Sequence, residues 1–296
     1  MTDAPGWPGI PPRWTSSAKS GIGTALSPVS RVWFTLSHGI LDEIYYPRVD
    51  QACTRDFGLI VTDGNGFFAE EKRDCTFEIA GLEDGVPALQ LVNTHRNGRF
   101  RILKDVLTDQ RADVVIQRIR LEVLEGGPLR LFALLAPHLV NGGIDNTAWT
   151  GDYKGHHLLF AEGDGTRLAL GCSRPFLACS VGFVGASDGW QMLHRTGFLD
   201  QLYDRAENGN VALTAEIADP TTEFRLALGF GRSAPEAAFR VRASLQTPVE
   251  RQMEEYAHGW RSWQAQLRSL DRKVDGHNVY RVSTAVLRCH ESPTFP

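Results

Sequence analysis

Gln117-Arg118-Ile119-Arg120-Leu121-Glu122-Val123-Leu124 alternates large apolar side chains with charged ones. Successive side chains of an extended chain point to opposite faces, so Ile119, Leu121 and Val123 share one face and Arg118, Arg120 and Glu122 the other. The segment predicts a half-buried strand, part of a longer run over 114–124.

Outward from it, similar short runs follow one another closely. Toward the N-terminus they cover 31–36, 44–46, 57–61, 67–70, 76–79, 89–93 and 100–107. Toward the C-terminus they cover 129–135, 158–161, 167–170, 176–179, 211–217 and 224–230. Turn residues punctuate them: Asp63-Gly64-Asn65-Gly66, Asp84-Gly85, Asn97-Gly98, Gly126-Gly127-Pro128, Gly163-Asp164-Gly165 and Asn208-Gly209-Asn210. The Asp63–Gly66 turn between two apolar runs is the strongest hairpin signal. Such a density of short strands predicts an all-β chain folded as a large antiparallel sandwich. Residues 1–30, rich in Pro, Gly and Ser, read as an irregular arm along the body.

With 296 residues there is chain enough for a large core. A hydrophobic content of 42%, a charged content of 22% and a mean hydropathy of −0.22 are those of a globular protein. A net charge of −4 and the lack of a basic patch with interleaved aromatics argue against nucleic acid as a partner. No apolar run is long enough to span a membrane, and the first residues carry no signal-peptide pattern. Five scattered cysteines (Cys53, Cys75, Cys172, Cys179, Cys289) without a Cys-x-x-Cys pair read as reduced thiols. The expected location is the cytoplasm.

The pattern changes at Thr247-Pro248-Val249-Glu250, which reads as a capping box with proline in the first turn. Met253, Tyr256, Trp260, Trp263 and Leu267 then recur at helical spacing. Two tryptophans on one stripe suggest a linker helix at a domain interface. After Asp275-Gly276, residues 277–290 read as an amphipathic helix with Val279, Val282, Val286 and Cys289 on its apolar stripe. A helix of that kind needs a partner. The expected organisation is a β domain over 1–246, a linker helix over 247–273, and the first helix of a further domain over 274–296.

The densest group of polar and aromatic residues lies in Trp33–Asp50. Read plainly, it is two strands about a glycine-centred turn with Tyr45 or Tyr46 buried against Trp33. Read for function, Asp42, Glu43, Tyr46, Arg48 and Asp50 reach a sugar or a neighbouring domain. Paired carboxylates drive glycoside hydrolysis, but proximity in sequence does not set their separation in space. His156-His157 point to opposite strand faces and make a poor metal pair; His38, His95, His138 and His194 are isolated. Asp145, Asn146, Thr147 and Asp152 match no calcium loop. No metal, no cofactor and no catalytic residue is expected within the chain.

Two segments resemble a known family. Gly39-Ile40-Leu41-Asp42-Glu43-Ile44-Tyr45-Tyr46-Pro47-Arg48-Val49-Asp50 is similar to the N-terminal domain of bacterial and archaeal glucoamylases and glucodextranases, glycoside hydrolase family 15. Ser283-Thr284-Ala285-Val286-Leu287-Arg288-Cys289-His290 through Pro296 resembles the first helix of that family's catalytic (α/α)6 barrel, and Gly6–Gly9 through Gly21–Thr24 is also similar. The resemblance implies a galactose-mutarotase-like super-sandwich packed on the barrel through a helical linker. It implies an exo-acting, inverting α-glucan hydrolase as parent, with both catalytic glutamates in the barrel.

Three alternatives stand beside this accessory role. One is an α-glucan-binding module using Trp149, Tyr153 or Trp190. Another is the N-terminal domain of an inverting disaccharide phosphorylase. The third is an epimerase using His138, His156 or His157. The exposed stripes of Trp260/Trp263 and Val282/Val286 predict self-association.

Overall fold

A computed structural model describes residues 2–291. In chain order the body begins with strands β1 (Gly21–Thr24), β2 (Trp33–Ser37), β3 (Ile40–Tyr45), β4 (Thr54–Thr62) and β5 (Phe68–Glu70). A single helical turn, α1 (Glu71–Asp74), leads to β6 (Cys75–Glu83), β7 (Val86–His95), β8 (Phe100–Thr108), β9 (Val114–Val123) and β10 (Arg130–Pro137). The second half holds β11 (Asn146–Tyr153), β12 (His156–Gly163), β13 (Thr166–Cys172), β14 (Phe176–Phe183), helix α2 (Gly189–Thr196), β15 (Arg205–Gly209), β16 (Val211–Ile217) and β17 (Phe224–Gly231). Helices α3 (Ala234–Gln246), α4 (Val249–Gln264) and α5 (Val279–Cys289) follow, with a two-residue hairpin, β18 (Lys273–Val274) and β19 (His277–Asn278), before the last.

The strands form two antiparallel sheets. One runs β1-β2-β3-β4-β10-β16-β14 with β5 beside β4; the other runs β15-β11-β12-β13-β17-β9-β8-β7-β6. Their inner faces close on a core that includes Phe34, Phe57, Phe100, Leu213 and Phe224. This is the large antiparallel sandwich the strand runs predict, in the two-sheet super-sandwich form the family resemblance implies. Strand β9 shows why the alternation is clearest after residue 117. Ile119 and Leu121 enter the inter-sheet core. On the opposite face Val114 and Ile116 lie under helices, and only further along does that face turn polar with Arg118 and Arg120. A strand covered on both sides loses its period of two.

Three strands of the two large sheets depart from the sequence reading. Strand β1 lies inside the expected irregular arm. Its glycines read as loop, yet a Cβ on Gly23 would sit 2.4 Å from Pro87 O, so the close packing of β1 on β7 requires a glycine there. Strands β11 and β15 are polar, and hydropathy alone passed over them. Helices α2 and α3 also fall within the expected all-strand unit. The Ser233 hydroxyl caps α3 by accepting from Glu236 N, and Ala237, Ala238 and Val241 lie buried.

The expected capping box at Thr247 does not form. Thr247 ends α3, its hydroxyl donating to Ala243 O at 3.2 Å, while Pro248 opens α4 without a side-chain cap. The exposed tryptophan stripe is also corrected: Trp260 is fully buried and Trp263 half-buried. Helix α4 lies on the outer face of the second sheet, where Trp260 Nε1 donates to Thr24 O at 3.0 Å and Tyr256 Oη to Pro87 O at 2.9 Å. Helix α5 starts two residues later than expected, with Asn278 as its cap. It packs on β1 and β7 through Ala285 and Cys289, and Val282 and Val286 stay 41% exposed. Residues 292–296 of the barrel-like segment lie outside the described residues.

Candidate functional site

Strands β2 and β3 are joined by His38 and Gly39, both in the left-handed region (φ 52° and 75°), as a two-residue hairpin turn of the primed type requires. The turn is tied to the core. Lys104 Nζ and Asn93 Nδ2 each donate to Gly39 O at 2.8 Å. Lys104 also pairs with Glu71 at 2.7 Å, both side chains being shut off from water. A side chain at residue 39 would put its Cβ 2.5 Å from Asn93 Oδ1.

Within this hairpin Phe34 faces Ile44 and Leu36 faces Leu41, so Thr35 opposes both Asp42 and Glu43. Such a bulge breaks the alternation of a strand and re-aims its side chains. Both carboxylates thereby reach one ammonium, Lys19 Nζ, at 2.6 Å from Asp42 and 2.5 Å from Glu43. Thr35 Oγ1 lies 2.8 Å from Asp42 Oδ1, and Tyr45 Oη donates to Glu43 at 2.9 Å.

Burial raises the Asp42 carboxyl above its ordinary pKa, and hydrogen bonds from Lys19 and Thr35 pull back only part of that. Burial would lower Lys19, but the two carboxylates together outweigh it and hold its ammonium charged. Burial and Glu43 both push the Tyr45 phenol up. Glycoside hydrolysis needs an acid and a base set on either side of a sugar. Here two carboxylates share one lysine, and the cluster clasps the N-terminal arm to the hairpin.

Over the clasp opens a cavity of about 460 Å³. Lys19, Trp33, Thr35 and Tyr45 line it from the sheet side, Val49 from the following loop, Val286 from α5 and His290 from just beyond its end. The Trp33 indole N–H is buried without a partner. The five residues singled out in the sequence do not converge on it. Asp42 and Glu43 lie beneath it on β3 rather than in a loop. Tyr46, expected to reach outward, is 3% exposed and stacks on Phe230 at 5.2 Å beside Arg31. Arg48 and Asp50 form a bidentate pair at the surface, at 2.9 and 2.6 Å. Lys19 was missed because nothing in a Ser- and Gly-rich arm marks a lysine that closes on residues 23 and 24 positions later.

The other candidates are dispersed. Trp149 stacks on Phe160 at 5.3 Å. Trp190 stacks on His194 at 4.8 Å and donates to Glu70 at 2.9 Å. Tyr153 is half-buried beside Lys154. His138 is buried, and burial lowers its pKa to about 4, so it is neutral at pH 7. It meets Trp14 edge-on, with neither ring nitrogen partnered, and no carboxylate shares a proton with it. Asn146 spends its amide on Leu139 N and Gly142 O. Among the described residues no three His, Cys, Asp or Glu side chains are grouped to hold a metal ion, and no helix is long and apolar enough to cross a membrane.

Residues 4–265 match the family model described as glucodextranase, domain N. The glucoamylase of Clostridium sp. (strain G0005) is 31% identical over 293 residues, covering 97% of this chain and 41% of that protein. A bacterial glucoamylase solved in complex with acarbose superposes with a TM-score of 0.94 at 30% identity, over 98% of this chain and 43% of that one. A family GH92 inverting mannosidase from Bacteroides thetaiotaomicron aligns over 88% of this chain and 36% of its own at a TM-score of 0.50. At 8% identity that is a likeness of fold alone.

Proposed function

The chain belongs to the glucodextranase domain N family, and from that premise we propose that it is the non-catalytic N-terminal domain of a glucoamylase-type α-glucan exo-hydrolase. The reading extends to a division of the chain into a sandwich over 1–246, a linker over 247–273 and the start of a catalytic (α/α)6 barrel from 274. The general acid and base of an inverting hydrolysis then come from that barrel. The sandwich holds the barrel on the face made by α5 and the loop Tyr46–Asp50, and Arg48 and Asp50 border the substrate cleft.

The observation that carries this reading is the match of nearly the whole chain to about two fifths of two glucoamylases. Helix α5 supports it. Val282, Val286 and Leu287 (69% exposed) form an apolar face beside the cavity, of the kind that packs on another domain.

Glucose release from maltooligosaccharides and dextran, measured for this chain and for the complete gene product, tests the proposal. Activity in the complete product alone is the expected outcome, and the preferred substrate identifies the linkage cut. Release of glucose 1-phosphate in the presence of phosphate would make the parent a phosphorylase. Glucose release by this chain alone would overturn the non-catalytic reading.

A further inference from the structure

On the far side of the second sheet, α3 leans over the ends of β12, β13 and β17 and leaves a cavity of about 540 Å³. That volume suits a small molecule. Its polar lining holds three cations, Arg174, Arg225 and Arg242, with His156, His157, Ser173 and Gln246 beside them; no carboxylate lines it, although His157 pairs with Asp152 at 2.9 Å. Two observations set these arginines apart from others in the chain.

Arg242, on α3, has no hydrogen-bond or ion-pair partner among the described residues, and its Nε is buried and unsatisfied. A buried guanidinium donor left unpaired costs free energy unless a ligand takes it. Arg225 is held rigid by neutral acceptors only. It donates to Thr247 O and Leu245 O at 2.6 and 2.5 Å and to Gln252 Oε1 at 3.2 Å. Burial lowers its pKa, and Glu250 and Glu223 act on it only through their fields. Arg174, whose nearest carboxylate is Asp219 at 3.9 Å, completes the ring of charge. The lining is thus a fixed positive centre beside an arginine with free donors, and guanidinium forks match the paired oxygens of a phosphate group.

We propose that this cavity is a binding site for a phosphate group, carried by a small sugar phosphate or free in solution. The site is independent of the accessory role proposed above, since it lies on α3 and not on α5.

Calorimetric titration of the 296-residue chain with sodium phosphate and with glucose 1-phosphate, at constant ionic strength, tests it, with glucose as the uncharged control. Saturable binding is expected with phosphate up to about 10 mM, a range that fills a millimolar site. Arg242→Gln and Arg174→Gln should each weaken it about tenfold or more, as the loss of a charge-assisted hydrogen bond does. Arg242 has no protein partner to lose, so circular dichroism of Arg242→Gln should match that of the parent chain; were one variant not to fold, the other decides. Tighter binding of glucose 1-phosphate than of phosphate assigns the site to a phosphorylated sugar, and equal binding assigns it to the free anion. Absence of saturable binding by both ligands, or binding that survives both substitutions at full strength, overturns the proposal.

Discussion

Helices α4 and α5 carry similar apolar stripes and lie on the same side of the sandwich, but they are used differently. Helix α4 buries Tyr256 and Trp260 completely, and gives each polar tip a backbone acceptor. Its glutamines are drawn in as well: Gln252 donates to Asp109 and Ser244 O, and Gln264 to Gly85 O and Arg281 O. Helix α5 buries only Ala285 and Cys289 and leaves Val282, Val286 and Leu287 in water. The first helix, the proposed linker, is therefore buried firmly against the sandwich. The second is half docked and leaves an apolar face exposed. Amphipathic spacing alone does not distinguish a helix that closes a domain from one that begins the next contact.

Four experiments test this difference between the helices. The largest effect is expected from Trp260→Ala, which empties a fully buried site and should cost about 3–5 kcal/mol of stability in urea unfolding. A loss similar to that of a surface substitution would mean that α4 is not integral to the sandwich.

Next comes Lys19→Met, in the clasp beneath α5. It leaves Asp42, which is fully buried, without its cation, and should cost roughly 2 kcal/mol at pH 7, less than for a fully buried pair because Lys19 keeps some contact with water. The Asp42 pKa, already raised by burial, rises further in the variant. The deficit should therefore shrink as pH falls through that value and Asp42 takes up a proton. A deficit independent of pH would place the loss in packing rather than charge.

A smaller, local effect should separate the two helices in acid. The approach to α5 is fastened by Asp271, which accepts from Arg281 Nε and Asn278 Nδ2, and by Asp84, which accepts from Asn278 N at 2.7 Å. Hydrogen bonds from Arg281 and Asn278 lower Asp271 to about 2, and the Asn278 amide lowers Asp84. A carboxylate with a depressed folded pKa stabilises above its unfolded value near 3.8 and loses that contribution as pH falls toward the folded one. Pepsin should accordingly begin to cut within 268–278 between pH about 4 and about 2, while α4 stays intact. Simultaneous digestion of both helices would erase the distinction.

The smallest effect on stability is expected from Leu287→Ser, within about 0.5 kcal/mol, since the side chain is already exposed. Its effect should appear in association instead. Light scattering of this chain is expected to show self-association that the substitution reduces; a monomer at all concentrations would leave α5 with no sign of a spare sticky face.

Much of the architecture was legible in the sequence because each signal was local. The alternation at Gln117–Leu124, the Asp63–Gly66 turn and the glycine-centred hairpin at His38-Gly39 all depend on residues within a few positions. The failures were places where a neighbour distant in sequence decided. Strand β1 reads as loop until β7 is set against it. Thr247 offers a capping box, but α3 arrives first and takes Thr247 for its own end. Trp260 looks like an interface residue until Thr24 O is placed over its indole.

The candidate site was the least legible part. Adjacent acids at Asp42 and Glu43 should diverge on a regular strand, and only the bulge opposite Thr35 turns both onto Lys19. Tyr46 turned inward to stack on Phe230, and Arg48 and Asp50 closed on each other. The arginines around the α3 cavity gave no sequence signal, because residues 174, 225 and 242 meet only where the turn after β13, strand β17 and α3 come together.

By itself, then, the sequence determined the class of fold, the two-sheet sandwich with a helical end, and the family resemblance, because periodicity, turn chemistry and a run of characteristic residues are properties of neighbouring positions. The tertiary structure alone decided which helix is buried, which acids share a lysine and which arginine of the α3 cavity is left unpaired. Those outcomes depend on desolvation and on hydrogen-bond partners brought from tens to hundreds of residues away, and no local pattern encodes them.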